Sequence, residues 1–392
     1  MFLFISEREL IKLVVKCVWR KVRPTITLSH SADKLVGIDF GLGELGILLA
    51  PEVNDVRFVG IRGMGGIGKT TLAKLVFERI SHQFEVGKFL LNVREVSSKH
   101  GSLVNFQKQL LYPILKENIA QVWDEQEGTF FIRKCFSNKM VLLILDDVDH
   151  VNQLQLLAGK RYWFGTGSRI IVTTRDECLF IEHDIEITFK VVGLNDNEAL
   201  ELFSQNACKK DQPGEEFLQL SKCFIDYAKG LPLALKVLGH SLYKRGIDEW
   251  IGALDKLKND PDTEIFSSLK LSYDGLCEMS KSIFLDVAFL HKGKNKKRII
   301  DILDRTCDFS SLYGLNVLIE KSLLTIERGS TVEMHDLIQE MAWEIVRLES
   351  RDEPGRRCRL CHRKDIYHVF SRDTGTKAIQ CIRLCLQRLK LF

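Results

Sequence analysis

The feature that most constrains this chain is a glycine-rich stretch, GMGGIGKT at residues 63–70. The run RFVGI before it is apolar, as in a buried strand, and the run TLAKLVFERI after it is typical of a helix. A strand, a glycine-rich turn and a helix in this order turn backbone N–H groups toward phosphate oxygens at the positive end of the helix. The sequence therefore predicts a phosphate-binding loop (P-loop).

The side chains at the end of this loop indicate a nucleotide with a bound cation. Lys69 is expected to neutralise the β and γ phosphates, and the Thr70 hydroxyl is expected to bind Mg²⁺. The candidate nucleotide-binding residues of the loop are Gly63, Gly65, Gly66, Gly68, Lys69, Thr70 and Thr71.

The composition limits the class of protein. The chain has 392 residues, enough for two or three domains, and its 56 Lys and Arg against 52 Asp and Glu give a net charge of +4. That balance does not favour nucleic acid as the main partner. No apolar run approaches the length of a membrane span, and the N-terminus lacks the pattern of a secretory signal. We expect a soluble intracellular chain, in the cytoplasm or the nucleus.

Cysteine spacing raises an alternative that the rest of the sequence does not favour. CRLCH at 358–362 has the spacing of a haem attachment site, and four cysteines near the C-terminus could be drawn as a zinc site. Haem attachment goes with export, and in an intracellular chain the eleven cysteines would mostly be reduced. Core packing or free surface thiols are the preferred interpretation.

Hydrophobic periodicity predicts an α/β P-loop NTPase domain, followed by a helical bundle and a winged-helix domain. Apolar runs alternate with helical segments over about 56–190, which indicates a parallel sheet with helices on both faces. Helical patterns then continue, joined later by a turn-linked pair of short strands. The predicted divisions are an N-terminal helix and linker (1–34), the nucleotide-binding domain (35–190), the helical bundle (191–262), the winged helix (263–372) and the start of a further region (373–392).

Three residues that follow buried strands are candidates for catalysis. Asp146, at the end of VLLILDDVD, is placed to hold Mg²⁺ through water together with Thr70. Asp147 is one methylene shorter than a glutamate, so its reach to an attacking water is poorer and slow hydrolysis is expected. Arg175, after SRIIVTT, is placed to sense a γ phosphate, although a surface arginine after a strand is the alternative.

The motifs together resemble the NB-ARC region of plant intracellular disease-resistance receptors of the TIR type, whose chains also carry leucine-rich repeats. The resemblance covers roughly residues 6–380, and we expect a chain without the TIR domain and without the repeats. The matching stretches include LVGID (35–39), GMGGIGKTTLAK (63–74), FLLNVREVS (89–97), VLLILDDVD (141–149), GSRIIVTTRDE (167–177), YAKGLPLALKVLG (227–239) and MHDLIQEM (334–341).

The resemblance implies roles that the spacing of residues does not give. Backbone groups around Val36 and Gly37 would contact the adenine, and Pro232 would pack near the base. His335 would reach the β phosphate of ADP from the winged-helix domain. The family commonly has an aromatic residue where this chain has Arg62, whose charged head we expect to extend to water.

The function that the resemblance implies is an ADP/ATP-dependent switch with Mg²⁺, which hydrolyses ATP slowly at most and signals in plant defence. Its expected partners are adenine nucleotide and either full-length receptor relatives or further copies of the chain, with no membrane. One alternative is an AAA-like ATPase with a DNA-binding winged helix, supported by the basic run HKGKNKKR at 291–298. Another is a phosphotransferase, for which no stretch proposes an acceptor pocket.

Overall fold

The computed structural model describes residues 35–49, 53–98, 102–115, 122–257, 260–306, 311–327 and 329–383. The predicted N-terminal helix and linker, and the last nine residues of the chain, lie outside the described residues.

A five-stranded parallel sheet forms the first half of the described chain, as the alternating pattern predicts. The runs rich in valine, isoleucine and leucine become strands that are buried along nearly their whole length, as parallel strands covered on both faces require. The fifth strand, ITFK, is a short edge strand that the sequence reading missed. In spatial order the strands are β2 (Val86–Leu90), β3 (Val141–Val148), β4 (Arg169–Thr174), β1 (Arg57–Arg62) and β5 (Ile187–Lys190).

Helices cover both faces of this sheet. Along β3 the apolar side chains alternate, with Leu143 and Leu145 in one buried cluster and Leu142 and Ile144 in another. This period of two sends neighbouring residues to opposite faces, so each face carries its own core. The helices of this part are α1 (Asp39–Leu49), α2 (Lys69–Ile80), α3 (Val93–Ser97), α4 (Ser102–Leu115), α5 (Glu125–Phe136), α6 (Val151–Ala158) and α7 (Cys178–Glu182).

Four helices follow the sheet and pack around Trp250. This side chain is buried, meets Phe203 and Phe224 edge to face, and donates a hydrogen bond from its indole nitrogen to the Leu242 carbonyl at 3.3 Å. The helices are α8 (Asp196–Ala207), α9 (Glu215–Ala228), α10 (Pro232–Leu242) and α11 (Ile247–Leu257).

The last described part joins helices to a small antiparallel sheet, as the winged-helix prediction requires. The sheet has the order β6 (Lys294–Asn295), β8 (Thr331–Glu333) and β7 (Thr325–Glu327). Its helices are α12 (Thr263–Asp274), α13 (Glu278–Asp286), α14 (Lys296–Thr306), α15 (Ser311–Glu320), α16 (Asp336–Glu349) and α17 (Arg363–Arg372).

The chain beyond α17 stays packed against this part. Cys381 and Ile382 form a two-residue strand that pairs in parallel with Arg359 and Leu360. Arg383 donates a side-chain hydrogen bond to the Phe289 carbonyl at 3.1 Å. The described residues after 372 therefore extend the winged-helix part, and the predicted domain boundaries stay predictions.

Candidate nucleotide-binding site

The loop between β1 and α2 adopts the backbone conformation that its glycines permit. Gly63, Gly66 and Gly68 have φ angles of 151°, 78° and 102°, which residues with a Cβ atom rarely adopt. A Cβ on Gly66 would also lie 2.6 Å from Leu233 Cβ, so glycine is required here for packing as well.

Lys69 lies inside this loop. Its ammonium group donates to the carbonyl oxygens of Gly63 at 2.8 Å and Met64 at 2.9 Å, and the side chain is buried. Burial, with a further contribution from Arg175, lowers the pKa of Lys69 to about 7. The amine is therefore held in place by the loop whose anionic ligand it is predicted to neutralise.

Thr70 and Asp146 meet at the end of β3, as their sequence positions predict. The hydroxyls of Thr70 and Thr173 each donate to Oδ1 of Asp146 at 2.8 Å, and Asp146 is fully buried. Its second oxygen, Oδ2, is buried and has no hydrogen-bond partner among the described residues. A buried carboxylate oxygen beside a hydroxyl is a donor set that suits Mg²⁺, which prefers oxygen ligands. Thr71 follows, half-buried, in the first turn of α2.

Asp147 is paired with two arginines. Its carboxylate lies 2.7 Å from Arg94 Nη2 and 3.4 Å from Arg175 Nε, and its backbone N–H donates to Thr173 Oγ1 at 2.9 Å. The residue has a φ of 55°, in the left-handed region that aspartate tolerates better than most residues. Its carboxylate is therefore committed to guanidinium groups, which disfavours a role as general base.

Arg94 is the residue of this cluster that the sequence reading missed. It follows β2 in the stretch FLLNVREVS, so it lies at the same edge of the sheet as Asp147. The rule that functional side chains gather beyond the carboxyl ends of parallel strands could have found it.

Arg175 joins the loop to the winged-helix part of the chain. Its Nη1 donates to the Ser268 carbonyl in α12 at 2.6 Å, and a Cβ on Gly65 would lie 2.5 Å from the same nitrogen. The structure therefore places Arg175 against the phosphate-binding loop, and it is not a free surface arginine.

The residues predicted to contact the adenine belong to the segment before α1 and to the start of α10. Gly37 has a φ of 70°, and a Cβ there would lie 2.3 Å from Leu194 Cδ2; Val36 packs with the apolar cluster of the helical part. Pro232 is the first residue of α10, and the next residue, Leu233, donates its N–H to the Gly66 carbonyl at 3.1 Å. The start of α10 therefore rests on the phosphate-binding loop.

Both ring nitrogens of His335 have protein partners. Nδ1 accepts a hydrogen bond from the Leu337 N–H at 3.2 Å and so caps α16, while Nε2 lies 3.0 Å from the Lys229 carbonyl. An accepting Nδ1 requires the neutral ring with its proton on Nε2, and burial lowers the pKa of this histidine. In this structure the ring thus contacts the segment before Pro232, and the predicted contact with a β phosphate stays a prediction.

The expectation for Arg62 is wrong. Instead of extending to water, its guanidinium forms an ion pair with Glu177, and its Nε is buried without a hydrogen-bond partner among the described residues. The charge of Arg62 is tolerated at this half-buried position because Glu177, in the segment after β4, supplies a carboxylate.

A parallel sheet with a glycine-rich loop, a buried lysine and a threonine–aspartate pair defines the class of P-loop nucleotide-binding proteins. A search of solved structures agrees on the fold: a Walker-type ATPase of Pyrococcus abyssi aligns with a TM-score of 0.53 at 12% identity, over 79% of this chain and 96% of that one. In the described part of the chain, no helix is long and apolar enough to span a membrane.

Sequence comparisons give the family. A family model for the NB-ARC domain matches residues 46–213, and one for the winged-helix domain of Roq1-like disease resistance proteins matches 278–350. Disease resistance protein RUN1 of Vitis rotundifolia is 41% identical over 98% of this chain and 28% of its own length. TMV resistance protein N of Nicotiana glutinosa is 41% identical over 91% of this chain and 31% of its own length. The chain belongs to the NB-ARC family of plant disease resistance proteins, and it spans about a third of the length of these curated relatives.

Proposed function

We propose that this chain is the adenine-nucleotide switch of a plant intracellular immune receptor. It binds ADP at rest, exchanges ADP for ATP with Mg²⁺ on activation and hydrolyses ATP slowly. Membership of the NB-ARC family supports nucleotide binding, and the disease-resistance relatives support a role in defence.

One structural observation gives the main support for the proposed switch. The four residues after β4, Arg175 to Cys178, all contact the winged-helix part. Arg175 donates to the Ser268 carbonyl, Asp176 pairs with Lys321 at 2.6 Å, and the Glu177 N–H donates to the Glu320 carbonyl at 2.9 Å. The Cys178 thiol donates to Oε2 of Glu320 at 2.8 Å. Because Arg175, the first residue of this segment, lies against the phosphate-binding loop, a change in the bound phosphates can alter how the winged-helix part is held.

The metal and the phosphates are assigned to residues of the sheet part. Thr70 and the free oxygen of Asp146 would hold Mg²⁺, which when bound would offset the charge of the β and γ phosphates. Lys69 would exchange its two carbonyl contacts for phosphate oxygens. The two arginines on Asp147 support slow hydrolysis, because they occupy the carboxylate oxygens that would have to orient an attacking water.

The remaining candidate residues close the site from the other parts of the chain. Val36 and Gly37 would contact the adenine and Pro232 would pack near it, at the start of the helix that rests on the loop. His335 would leave the Lys229 carbonyl to reach the β phosphate when ADP is bound. We keep the predicted three-part layout as part of the proposal, with a nucleotide-binding domain (35–190), a helical bundle (191–262) and a winged helix (263–372).

The proposal also includes a wider assembly. On activation the module would associate with further copies of itself or with full-length receptor relatives, in the cytoplasm or the nucleus. The balanced charge of the chain does not favour action on DNA.

Nucleotide identification tests the proposal. The chain is purified from a eukaryotic host without added nucleotide, denatured, and the released small molecules are identified by mass spectrometry. We expect ADP in near-equal molar amount with the protein. Protein that is folded, empty and unable to bind ADP or ATP with Mg²⁺ would contradict the proposal.

A further inference from the structure

The two arginines on Asp147 come from the two strands that flank β3. Arg94 follows β2, Arg175 follows β4, and in this parallel sheet the order β2-β3-β4 brings their carboxyl ends to one edge. Asp147 lies between them, directly after the buried Asp146 that accepts from Thr70. The two arginines therefore form a fork around Asp147, at the same edge of the sheet from which the phosphate-binding loop starts.

This fork is built to hold a planar or tetrahedral oxyanion. Each arginine meets Asp147 through one nitrogen, Arg94 Nη2 at 2.7 Å and Arg175 Nε at 3.4 Å. Guanidinium groups bind phosphate as well as carboxylate, so a position that holds a carboxylate can also hold a phosphate. The side chains of Arg94, Asp147 and Arg175 are all less than a quarter exposed. Arg94 is also close enough to Lys69 to act on its charge.

We propose that Arg94, together with Arg175, binds the terminal phosphate of a nucleoside triphosphate, and that Asp147 occupies both arginines when that phosphate is absent. The proposal rests on the function proposed above and deepens it. Arg94 is thereby a residue that distinguishes the triphosphate from the diphosphate.

The exchange has a mechanical consequence at Arg175. Its guanidinium makes two contacts, with Asp147 through Nε and with the Ser268 carbonyl through Nη1. A phosphate that draws this group away from Asp147 also changes its position relative to α12. The carboxylate of Asp147 would repel the incoming phosphate, so the aspartate acts as a competitor for the arginines.

Two variants with opposite expected signs test the proposal on the full chain. Equilibrium titrations with Mg²⁺ compare ADP with an ATP analogue that has a β,γ-imido bridge. Arg94→Gln is expected to weaken analogue binding by about tenfold or more while ADP binding changes less than about twofold, because a charge-assisted contact is lost for the terminal phosphate alone. Asp147→Asn is expected to strengthen analogue binding without strengthening ADP binding. Arg79→Gln, at an exposed position of α2, is the matched control and should change neither.

The outcomes separate this proposal from the one on which it rests. If Arg94→Gln weakens both nucleotides equally or neither, and Asp147→Asn does not strengthen the analogue, Arg94 is a structural partner of Asp147 and the proposal is overturned. The wild-type chain would then still bind ADP and the analogue, and the switch would stand. A wild-type chain that binds neither would overturn both.

Discussion

Arg175 and Ser268, which are separated by 93 residues in the sequence, are joined by a hydrogen bond of 2.6 Å from a guanidinium nitrogen to a backbone carbonyl. The arginine belongs to the edge of the sheet that carries the phosphate-binding loop, and the serine belongs to the first helix of the winged-helix part. The acceptor is a backbone carbonyl, which does not depend on the side chain at position 268. The contact therefore depends on the position of α12 as a whole. The relation connects the candidate nucleotide site to the part of the molecule that a switch would move.

Removing the loop lysine should abolish nucleotide binding. Lys69→Ala deletes the buried cation that the loop holds through two carbonyls, and the loss of charge-assisted contacts to the phosphates should weaken ADP by about a hundredfold or more. Lys74→Ala, at an exposed position on the same helix, should leave the affinity unchanged. Calorimetric titration with ADP measures both, and retention of wild-type affinity by Lys69→Ala would exclude this loop as the phosphate site.

Loosening the contact between the sheet and the winged-helix part should speed the release of ADP. Lys321→Ala breaks the ion pair with Asp176, whose two side chains are 28% and 17% exposed. Because the pair is only partly buried, we expect a modest loss of about 1 kcal/mol and a release rate several times faster. A stopped-flow chase of fluorescent ADP measures the rate, with Lys297→Ala, exposed on α14, as the control. An unchanged rate in Lys321→Ala would mean that this contact does not retain the nucleotide.

A neutral substitute for Glu340 should stabilise the protein at neutral pH. Burial raises the pKa of Glu340, its Oε2 is buried without a hydrogen-bond partner among the described residues, and Tyr227 donates to the carboxylate. A carboxyl group whose pKa is raised in the folded state contributes to the stability of the protein below its unfolded pKa, about 4.3. That contribution is lost as the pH rises through the folded pKa. Glu340→Gln should therefore unfold at a higher temperature at pH 7–8, with a gain of up to about 1 kcal/mol because the group is half-buried.

The Glu340 effect has a control on the same helix. Glu344 is paired with Arg347 at 2.5 Å, so Glu344→Gln should lower the melting temperature instead. The advantage of Glu340→Gln should also vanish as the pH falls toward 4.5. An advantage that is independent of pH would show that the charge of Glu340 is not the cause.

Acidification should weaken the contact between α16 and the segment before Pro232. Burial lowers the pKa of His335, and protonation would put an N–H on Nδ1, which accepts from Leu337. A histidine whose pKa is lowered in the folded state contributes to stability above its unfolded pKa of about 6.5. That contribution is lost as the pH falls below the unfolded pKa toward the folded pKa. His335→Asn can still cap the helix but does not titrate, so its melting temperature should fall less between pH 7 and pH 5.

The comparison isolates His335 from other groups. Burial also lowers the pKa of His183 and His291, and both remain in every variant. His240→Asn, at an exposed position, should keep the wild-type dependence on pH. Equal slopes for wild type and His335→Asn would contradict a role for this ring in the acid response.

Local sequence patterns were enough to predict the sheet and the loop, because they depend on residues that are close in the chain. The apolar runs became β1 to β4, and the acid at the end of the run VLLILDDVD gave the pair that Thr70 and Asp146 form. β5 was missed because a four-residue edge strand has too short an alternation to stand out.

The contacts between parts could not be predicted from the sequence. Asp176 and Lys321 are 145 residues apart in the chain, and Leu233 and Gly66, which also form a hydrogen bond, are still further apart in the chain. Nothing in either segment indicates which surface it will face, since ion pairs and backbone contacts leave no periodic signal. The same holds for Arg62, whose ion pair with Glu177 requires a neighbouring loop that the local pattern around β1 does not specify.

The central claim is that the bound nucleotide determines how firmly the winged-helix part is held. Hydrogen–deuterium exchange of the full chain, saturated with ADP or with the β,γ-imido ATP analogue and Mg²⁺, tests it most directly. With ADP we expect slow exchange in residues 263–274 and 175–182, and with the analogue we expect faster exchange in both while the central strands of the sheet are unchanged. Equal protection of these two segments with both nucleotides bound would contradict the claim.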